Sequence, residues 1–274
     1  IQVGAARDFA LGVTFVDGTG QVLSNGGRVM KNVTGYDLVK LMSGSWGTLG
    51  VLTEVALKVL PVSETQVTLK VHVTTWADAV GCMSAALGTP FDVSGAATVQ
   101  AAEGGFDSLI RIEGFETSVQ YRASELTQRL AKFGTVDVVG DPWAEVKDLR
   151  AWAALDTVWR ISVRPTDSLK VIELMQDLQQ DRGFHCQLDW GGGLLWLGLE
   201  AAQMADTRAG LALHQALQRH VAQLRGHATL VTSGLLRDQE LCHFQPLERA
   251  IERVSQSLRE KFDPRGILNP GRMR

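Results

Sequence analysis

No stretch of this sequence reaches the roughly 18 consecutive apolar residues that a membrane-spanning helix needs, so a helical integral membrane protein is not expected. Cysteine is scarce. Cys82, Cys186 and Cys242 are far apart and odd in number, and no CxxC pair or Cys/His cluster marks a zinc or iron–sulfur site, so no metal site is expected. Such usage fits a reducing, cytoplasmic compartment. An excess of charge is lacking too. The 27 Lys and Arg against 30 Asp and Glu leave a net charge of −3, mixed along the chain, which argues against a nucleic-acid binder. A first methionine and a signal peptide are also absent. Arg7-Asp8-Phe9-Ala10 lead directly into a strand-like run, Leu11 to Val16, that turns at Asp17-Gly18-Thr19-Gly20 as a hairpin. The first element therefore reads as beginning inside a domain.

What is present is enough chain for one large or two medium domains, 274 residues. The most informative stretch is 26–62, GGRVMKNVTGYDLVKLMSGSWGTLGVLTEVALKVLPV. Its pattern predicts a short amphipathic helix (Tyr36 to Met42), a loop with Gly44, Gly47 and Gly50, and a strand from Val51 to Leu60. Amides in such a loop have no side chains in the way, so a ligand can approach them closely. The loop is not a Walker A site, because no Gly-Lys-Ser/Thr follows. It is not a dinucleotide fingerprint either, since that turn leaves a strand and opens a helix, whereas this one enters a strand.

Beyond Pro61 the pattern changes and runs twice. The first pass reads strand 66–73, helix 76–87, strands 93–100 and 108–114, helix 118–133 and strand 135–139. The second reads strand 157–163, helix 168–182, strands 184–190 and 194–199, helix 207–224 and strand 227–232. Each is βαββαβ, the ferredoxin-like order. A helical bridge (141–153) joins them, with Asp141 as N-cap and Pro142 at its first position. Two such units side by side predict one extended antiparallel sheet with helices on one face and the other face free. A last helix, 246–262, carries Leu247, Ile251, Val254 and Leu258 at helical spacing and ends in FDPRGILNPGRM, where Asp263-Pro264 and Gly266 stop the helix. The expected class is α+β, divided as 1–62, 63–245 and 246–274.

The stretch KNVTGYDLVKLMSGSWGTLGVLTE and the tail ILNPGR resemble the FAD-linked oxidases of the vanillyl-alcohol-oxidase (PCMH) type, and within them the FAD-binding subunits of bacterial glycolate oxidases. The resemblance is most specific over 5–61 and 262–273, with WRISV at Trp159 and DWGGG at Asp189 helping in between. It implies the C-terminal part of a PCMH-type FAD-binding domain (1–62), a ferredoxin-like cap (63–245), and a helix and tail returning to the FAD domain. It implies FAD as cofactor and oxidation of a D-2-hydroxy acid, glycolate to glyoxylate, with hydride passing to flavin. A D-lactate enzyme or a non-catalytic assembly subunit are the alternatives. The implied partners are a second flavin subunit and an iron–sulfur subunit, with any membrane association peripheral, through that complex at the inner face. In the family a lobe with a glycine-rich pyrophosphate loop precedes the segment matching Arg7 to Gly12. The sequence thus reads as N-terminally truncated, and is expected to bind FAD weakly or not at all by itself and to expose an apolar surface on its first unit.

The resemblance assigns backbone contacts with FAD to Trp46, Gly47, Thr48, Leu49, Gly50, Val51 and Leu52. Many members carry a glutamate where this chain has Trp46, so only the backbone role carries over there. Arg7 and Asp8 read either as a surface ion pair at a strand start or as a segment beside the flavin. Lys31 reads as solvated, Asn32 as a helix cap and Tyr36 as a packing residue. Asn269 is either part of a C-terminal turn or an amide that bonds flavin heteroatoms, and Arg272 either an exposed terminal arginine or a partner for an anion. His227 is either a strand-end histidine bonded to backbone or the base that takes the hydroxyl proton of a 2-hydroxy acid. His185, His214, His220 and His243 read as surface residues, and His72 as facing solvent. Arg160 is either an outward salt-bridge partner or a two-pronged carboxylate clamp. The relatives with a Gly-Glu-His-Gly metal motif differ from Gly226-His227-Ala228-Thr229, which has no adjacent glutamate.

Overall fold

The structure is a computed structural model and describes residues 4–30, 35–236 and 241–273. The chain divides into two compact units, residues up to Val62 with those from Pro246 onward, and Ser63–Gln245.

The first unit is a three-stranded antiparallel sheet with three helices. Strand β1 (Ala10–Val16) lies between β2 (Val22–Gly26) and β3 (Val51–Leu57). The β1–β2 turn closes because the Asp17 carboxylate accepts from Thr19 N, Thr19 Oγ1 and Gln21 N. Residues 6–9 do not run straight into the strand. They form a one-turn helix, α1 (Ala6–Phe9), because Asp8 accepts from Ala5 N–H at 2.8 Å. Helix α2 (Leu38–Met42) is shorter than its periodicity predicts. Asp37 caps it by accepting from Lys40 N–H, and Tyr36, expected to pack, is 89% exposed. Lys31 and Asn32 lie outside the described residues. Strand β3 stops at Leu57, where its partner β1 ends, rather than reaching Leu60. The core of this unit is Val13, Phe15, Val39, Met42 and Leu49, with Phe262 packed against it. Phe262 ends helix α8 (Arg249–Phe262), which begins three residues later than expected.

The second unit is one eight-stranded antiparallel sheet, the shared sheet that the doubled pattern predicts. Its first half holds β4 (Thr65–Val73), β5 (Val93–Gln100), β6 (Phe106–Gly114) and β7 (Val136–Val139). Its second half holds β8 (Thr157–Ser162), β9 (His185–Asp189), β10 (Leu194–Leu199) and β11 (His227–Thr232). The order is β11-β8-β10-β9-β5-β6-β4-β7, so each half is a ferredoxin-like βαββαβ and the halves join where β5 meets β9 at Thr98 and Leu188. Helices α3 (Trp76–Leu87), α4 (Glu116–Leu130), α6 (Ser168–Gln179) and α7 (Thr207–Gln223) bury their apolar sides with Leu69, Ile110, Trp159, Leu195 and Leu197 in one continuous core.

The bridge between the halves is not one helix. Leu149 adopts φ +51°, which splits it into α5 (Trp143–Asp148) and a single 3₁₀ turn, Arg150–Trp152. Its cap differs by one residue, with Pro142 at the cap position and Asp141 still accepting from Trp143 N–H. Because α5 seats Trp143 and Val146 against Ala97 and Leu109, the face expected to be free is in fact half covered.

Candidate functional site

The loop after α2 is built by left-handed backbone. Gly44, Trp46 and Gly47 have φ of +84°, +53° and +71°. Ser45 and Thr48 anchor it: Thr48 Oγ1 and N both donate to Ser45 O, and Ser45 N donates to Met42 O. Thr48 N–H is therefore committed to the loop's own turn. Leu49 is buried in the core of the first unit, which fixes the loop's exit into β3. A Cβ on Gly50 would lie 2.7 Å from the Phe15 ring and 3.0 Å from Val16 O, so glycine here lets β3 close on β1. Val51 and Leu52 pair with Val16 and Phe15 and remain exposed, Val51 by 58%.

The tail reaches this loop from a distance of more than 200 residues in sequence. Asn269, itself left-handed (φ +43°), donates from Nδ2 to Trp46 O at 2.7 Å. The same Nδ2 is 2.7 Å from where a Cβ on Gly47 would sit, so only glycine admits the contact. Two residues after Pro270, the Arg272 guanidinium lies 4.9 Å from the Trp46 ring centroid, a cation–π separation. Of the two readings of Asn269, the turn is real (Arg272 N donates to Asn269 O), and it delivers the amide to the loop. Arg7 and Asp8 are exposed. Asp8 is engaged as the cap of α1, and the Arg7 carbonyl accepts from Lys40 Nζ.

A flat heteroaromatic ligand fits this arrangement. A tight turn of this kind can aim main-chain N–H groups into an anion- and heteroatom-binding concavity. The Asn269 side chain uses one of its two N–H donors on Trp46 O; among the described residues its other N–H and its Oδ1 have no partner. Trp46, Val51 and Leu52 expose apolar surface beside these groups. Arg272 adds a positive charge. These residues therefore suit the heterocycle of a flavin, and Arg272 suits its anionic parts.

In the second unit, alternation and packing place a second cluster. Trp159 and Ile161 point into the helix-covered core, so Arg160 and Ser162 occupy the other face. Across the ladder Arg160 pairs with Trp196 on β10 and Thr229 on β11, and Ser162 pairs with His227. Cross-strand partners share a face, which puts His227 and Arg160 on the same side as diagonal neighbours. The Arg160 guanidinium lies 5.3 Å from the Trp190 ring and 6.0 Å from the Trp196 ring. Burial lowers its pKa from the ordinary value, yet a guanidinium stays protonated in proteins. Among the described residues no carboxylate pairs with it, so the expected alternative of an outward salt bridge is not what holds it. Nearby on the chain, burial raises the Asp189 carboxyl above its usual range while Trp190 N–H, at 2.6 Å, pulls the other way. His227 is exposed.

Histidine placement departs from expectation in one place that matters. His214, expected at the surface, is 1% exposed; its Nδ1 accepts from Trp159 Nε1 at 3.0 Å and its Nε2 donates to Cys242 O. Gln218 donates to Cys242 O and Phe244 O, so α7 holds the segment after residue 240 against β11. The signal was legible, because Gly210, His214, Leu217, Gln218 and Val221 recur at helical spacing on one buried face. His72 is half exposed and meets Asp107 at 3.1 Å.

No family model matches the chain. Over 274 aligned positions, 98% of its length, it is 35% identical to glycolate oxidase subunit GlcE of Escherichia coli (strain K12). The chain belongs to the FAD-linked oxidases. The chain spans 66% of GlcE, just under two thirds of that relative's length. Over 69 residues, 25% of this chain and 15% of the relative, it is 42% identical to glycolate oxidase subunit GlcD of Bacillus subtilis (strain 168). Its fold is that of p-cresol methylhydroxylase (TM-score 0.69, 13% identity, 97% of this chain and 65% of that one). It is also that of 4-ethylphenol oxidase from Gulosibacter chungangensis (TM-score 0.67, 14% identity, 99% of this chain and 66% of that one). The α+β class and the PCMH-type architecture read from the sequence are thus the observed ones. Within the described residues, no helix is long and apolar enough to cross a membrane.

Proposed function

We propose that this chain is an FAD-binding subunit of a glycolate oxidase complex that oxidises a small D-2-hydroxy acid, glycolate in the first instance, to the 2-oxo acid. The observation that carries this reading is the 2.7 Å hydrogen bond from Asn269 Nδ2 to Trp46 O, which joins the two motifs most like the family into one donor-rich surface. The identity to GlcE across nearly the whole chain supports it. The bound flavin would supply a hydride acceptor for the substrate's α-carbon. The loop Trp46 to Leu52 and the Asn269 amide would hold the heterocycle through main-chain N–H groups and the free amide atoms, with Arg7 and Asp8 flanking. Arg160 would take the substrate carboxylate through its two-pronged donor set, beside the indoles of Trp190 and Trp196. His227 would accept the hydroxyl proton.

The chain's partners in this reading are a second flavin subunit, as the match to GlcD suggests, and an iron–sulfur subunit that takes electrons onward. The complex's membrane association, where it has one, would be peripheral at the cytoplasmic face. Anaerobic addition of glycolate to the assembled, flavin-loaded complex tests the substrate class. Bleaching of the flavin absorbance supports the proposal. Bleaching with D-lactate and not with glycolate moves it to a D-lactate enzyme, and bleaching with neither overturns it. A second reading, a subunit that assembles the complex without turning over, is favoured by the exposure of His227 and of Val51 and Leu52. His227→Ala separates the two: unchanged glycolate turnover by the complex selects the assembly reading.

A further inference from the structure

Asp263 sits where a carboxylate is costly in three ways. It is only 7% exposed. It follows directly on the C-terminus of α8, the negative end of the helix dipole, where an anion is disfavoured. Its Oδ1 is buried with no hydrogen-bond partner among the described residues, and an unsatisfied buried acceptor loses its hydration without compensation. Against these costs the side chain makes one strong contact, accepting from Leu268 N–H at 2.6 Å. Leu268 is the residue immediately before Asn269.

The first hairpin backs this carboxylate. Gly18, in the β1–β2 turn, donates from N to Phe262 O at 2.8 Å. A Cβ at Gly18 would fall 2.5 Å from Asp263 Oδ1 and 2.7 Å from Asp263 Cα, so glycine is required for the hairpin to lie against the acid. The Asp263 carbonyl also accepts from Gly266 N–H, closing the turn that carries the chain toward Leu268. A chain of contacts therefore runs from the Gly18 turn, through the Asp263 carboxylate and Leu268 N–H, to Asn269, Trp46 O and the Gly47 backbone.

We propose that Asp263 is a positioning residue for the flavin site. It fixes Leu268 so that Asn269 stays left-handed and clamps the Trp46 carbonyl, which sets where the Gly47 to Gly50 amides point. This rests on the flavin reading above. It gives the unpaired acid a role that a simple helix stop, its reading from sequence, does not need.

Two measurements test it, one of them without flavin. In the flavin-free protein, amide hydrogen exchange over 44–50 is expected to speed up in Asp263→Ala, and in Gly18→Ala, which crowds the carboxylate while leaving it in place. Asp263→Asn keeps an oxygen acceptor for Leu268 N–H and is expected to restore slow exchange. With flavin, Asp263→Ala is expected to raise the FAD Kd about tenfold when Asn269 is present and less than about twofold in an Asn269→Ala background, because coupled residues act through one path. A purely structural acid would weaken binding equally in both backgrounds. Equal effects, or unchanged exchange over 44–50 in both Asp263→Ala and Gly18→Ala, overturn the proposal and leave the flavin reading standing. Altered exchange over 44–50 in the variants, with no FAD response from the assembled wild-type complex, overturns the flavin reading, and with it the assignment of Asp263 to flavin.

Discussion

Replacing Gly47 by alanine perturbs the junction of loop and tail at one atom. Gly47 has φ +71°, where an L-residue costs about 1–2 kcal/mol. The added Cβ would also stand 2.7 Å from Asn269 Nδ2, so the amide must leave and its bond to Trp46 O is lost, a further ~0.5–1.5 kcal/mol. Gly44, in the same loop, isolates the second contribution. Its φ is +84°, yet its Cβ position has no heavy atom within 4 Å, so Gly44→Ala pays the backbone cost alone. Native-state hydrogen exchange at the core amides of Val13 and Phe15 reports the stability of the first unit. The expected result is a loss for Gly47→Ala that exceeds the loss for Gly44→Ala by about 1 kcal/mol, roughly fivefold in exchange rate. In an Asn269→Ala background the excess should vanish, because the colliding amide is gone. Equal losses at the two glycines, or an excess that survives removal of Asn269, would refute the claim that the tail seats on Gly47.

Arg160→Lys keeps the charge and loses the fork; glycolate oxidation by the complex should show KM raised about tenfold or more, with kcat changed less, and an unchanged KM would remove Arg160 from carboxylate binding. His214 resists protonation in the folded protein, first because burial strips its water and also because His243 lies nearby, while the Cys242 carbonyl acts in the opposite direction. Unfolded histidine takes up a proton near pH 6.5, so stability should be complete above about 6.5 and fall by up to ~1.4 kcal/mol per unit as pH drops below it. Urea unfolding across that range checks this, and His214→Gln should flatten the slope. The apolar residues left exposed on β3 and α8, among them Val55, Leu57, Ile251 and Val254, should bind a hydrophobic dye in the isolated chain; dye fluorescence no higher than that of a protein without such a patch would count against it.

Much of the architecture was legible because its signals are local and repeated. Alternation marks Trp159 and Ile161 against Arg160 and Ser162, and helical spacing marks 76–87, whose observed ends coincide with the pattern. Where the sequence misleads, a tertiary or backbone effect decides. Tyr36 looks like a helix residue until Asp37 caps the helix one residue later. The bridge looks continuous because nothing in Leu149 announces a left-handed backbone. The strand pattern runs on to Leu60, yet β1 has no residue left to pair with it beyond Leu57. The site divides the same way. The glycine loop and the NPG turn stand out as motifs, but their meeting is a long-range contact that no spacing encodes. Asp263 escaped notice as a site residue because Asp-Pro after a helix has a sufficient local explanation. His214 escaped because a lone histidine on a polar-looking helix is usually at the surface, while this one is claimed by the indole of Trp159.

The account depends on the glycine loop and the tail holding one ligand together. Titration of FAD into ¹⁵N-labelled protein, followed by amide shifts, tests this even where binding is weak. The expected result is that the backbone amides of Gly47, Leu49 and Gly50 and the side-chain amide of Asn269 shift together along one saturation curve. Shifts confined to one of the two segments, separate curves for each, or movement only elsewhere in the chain would contradict it.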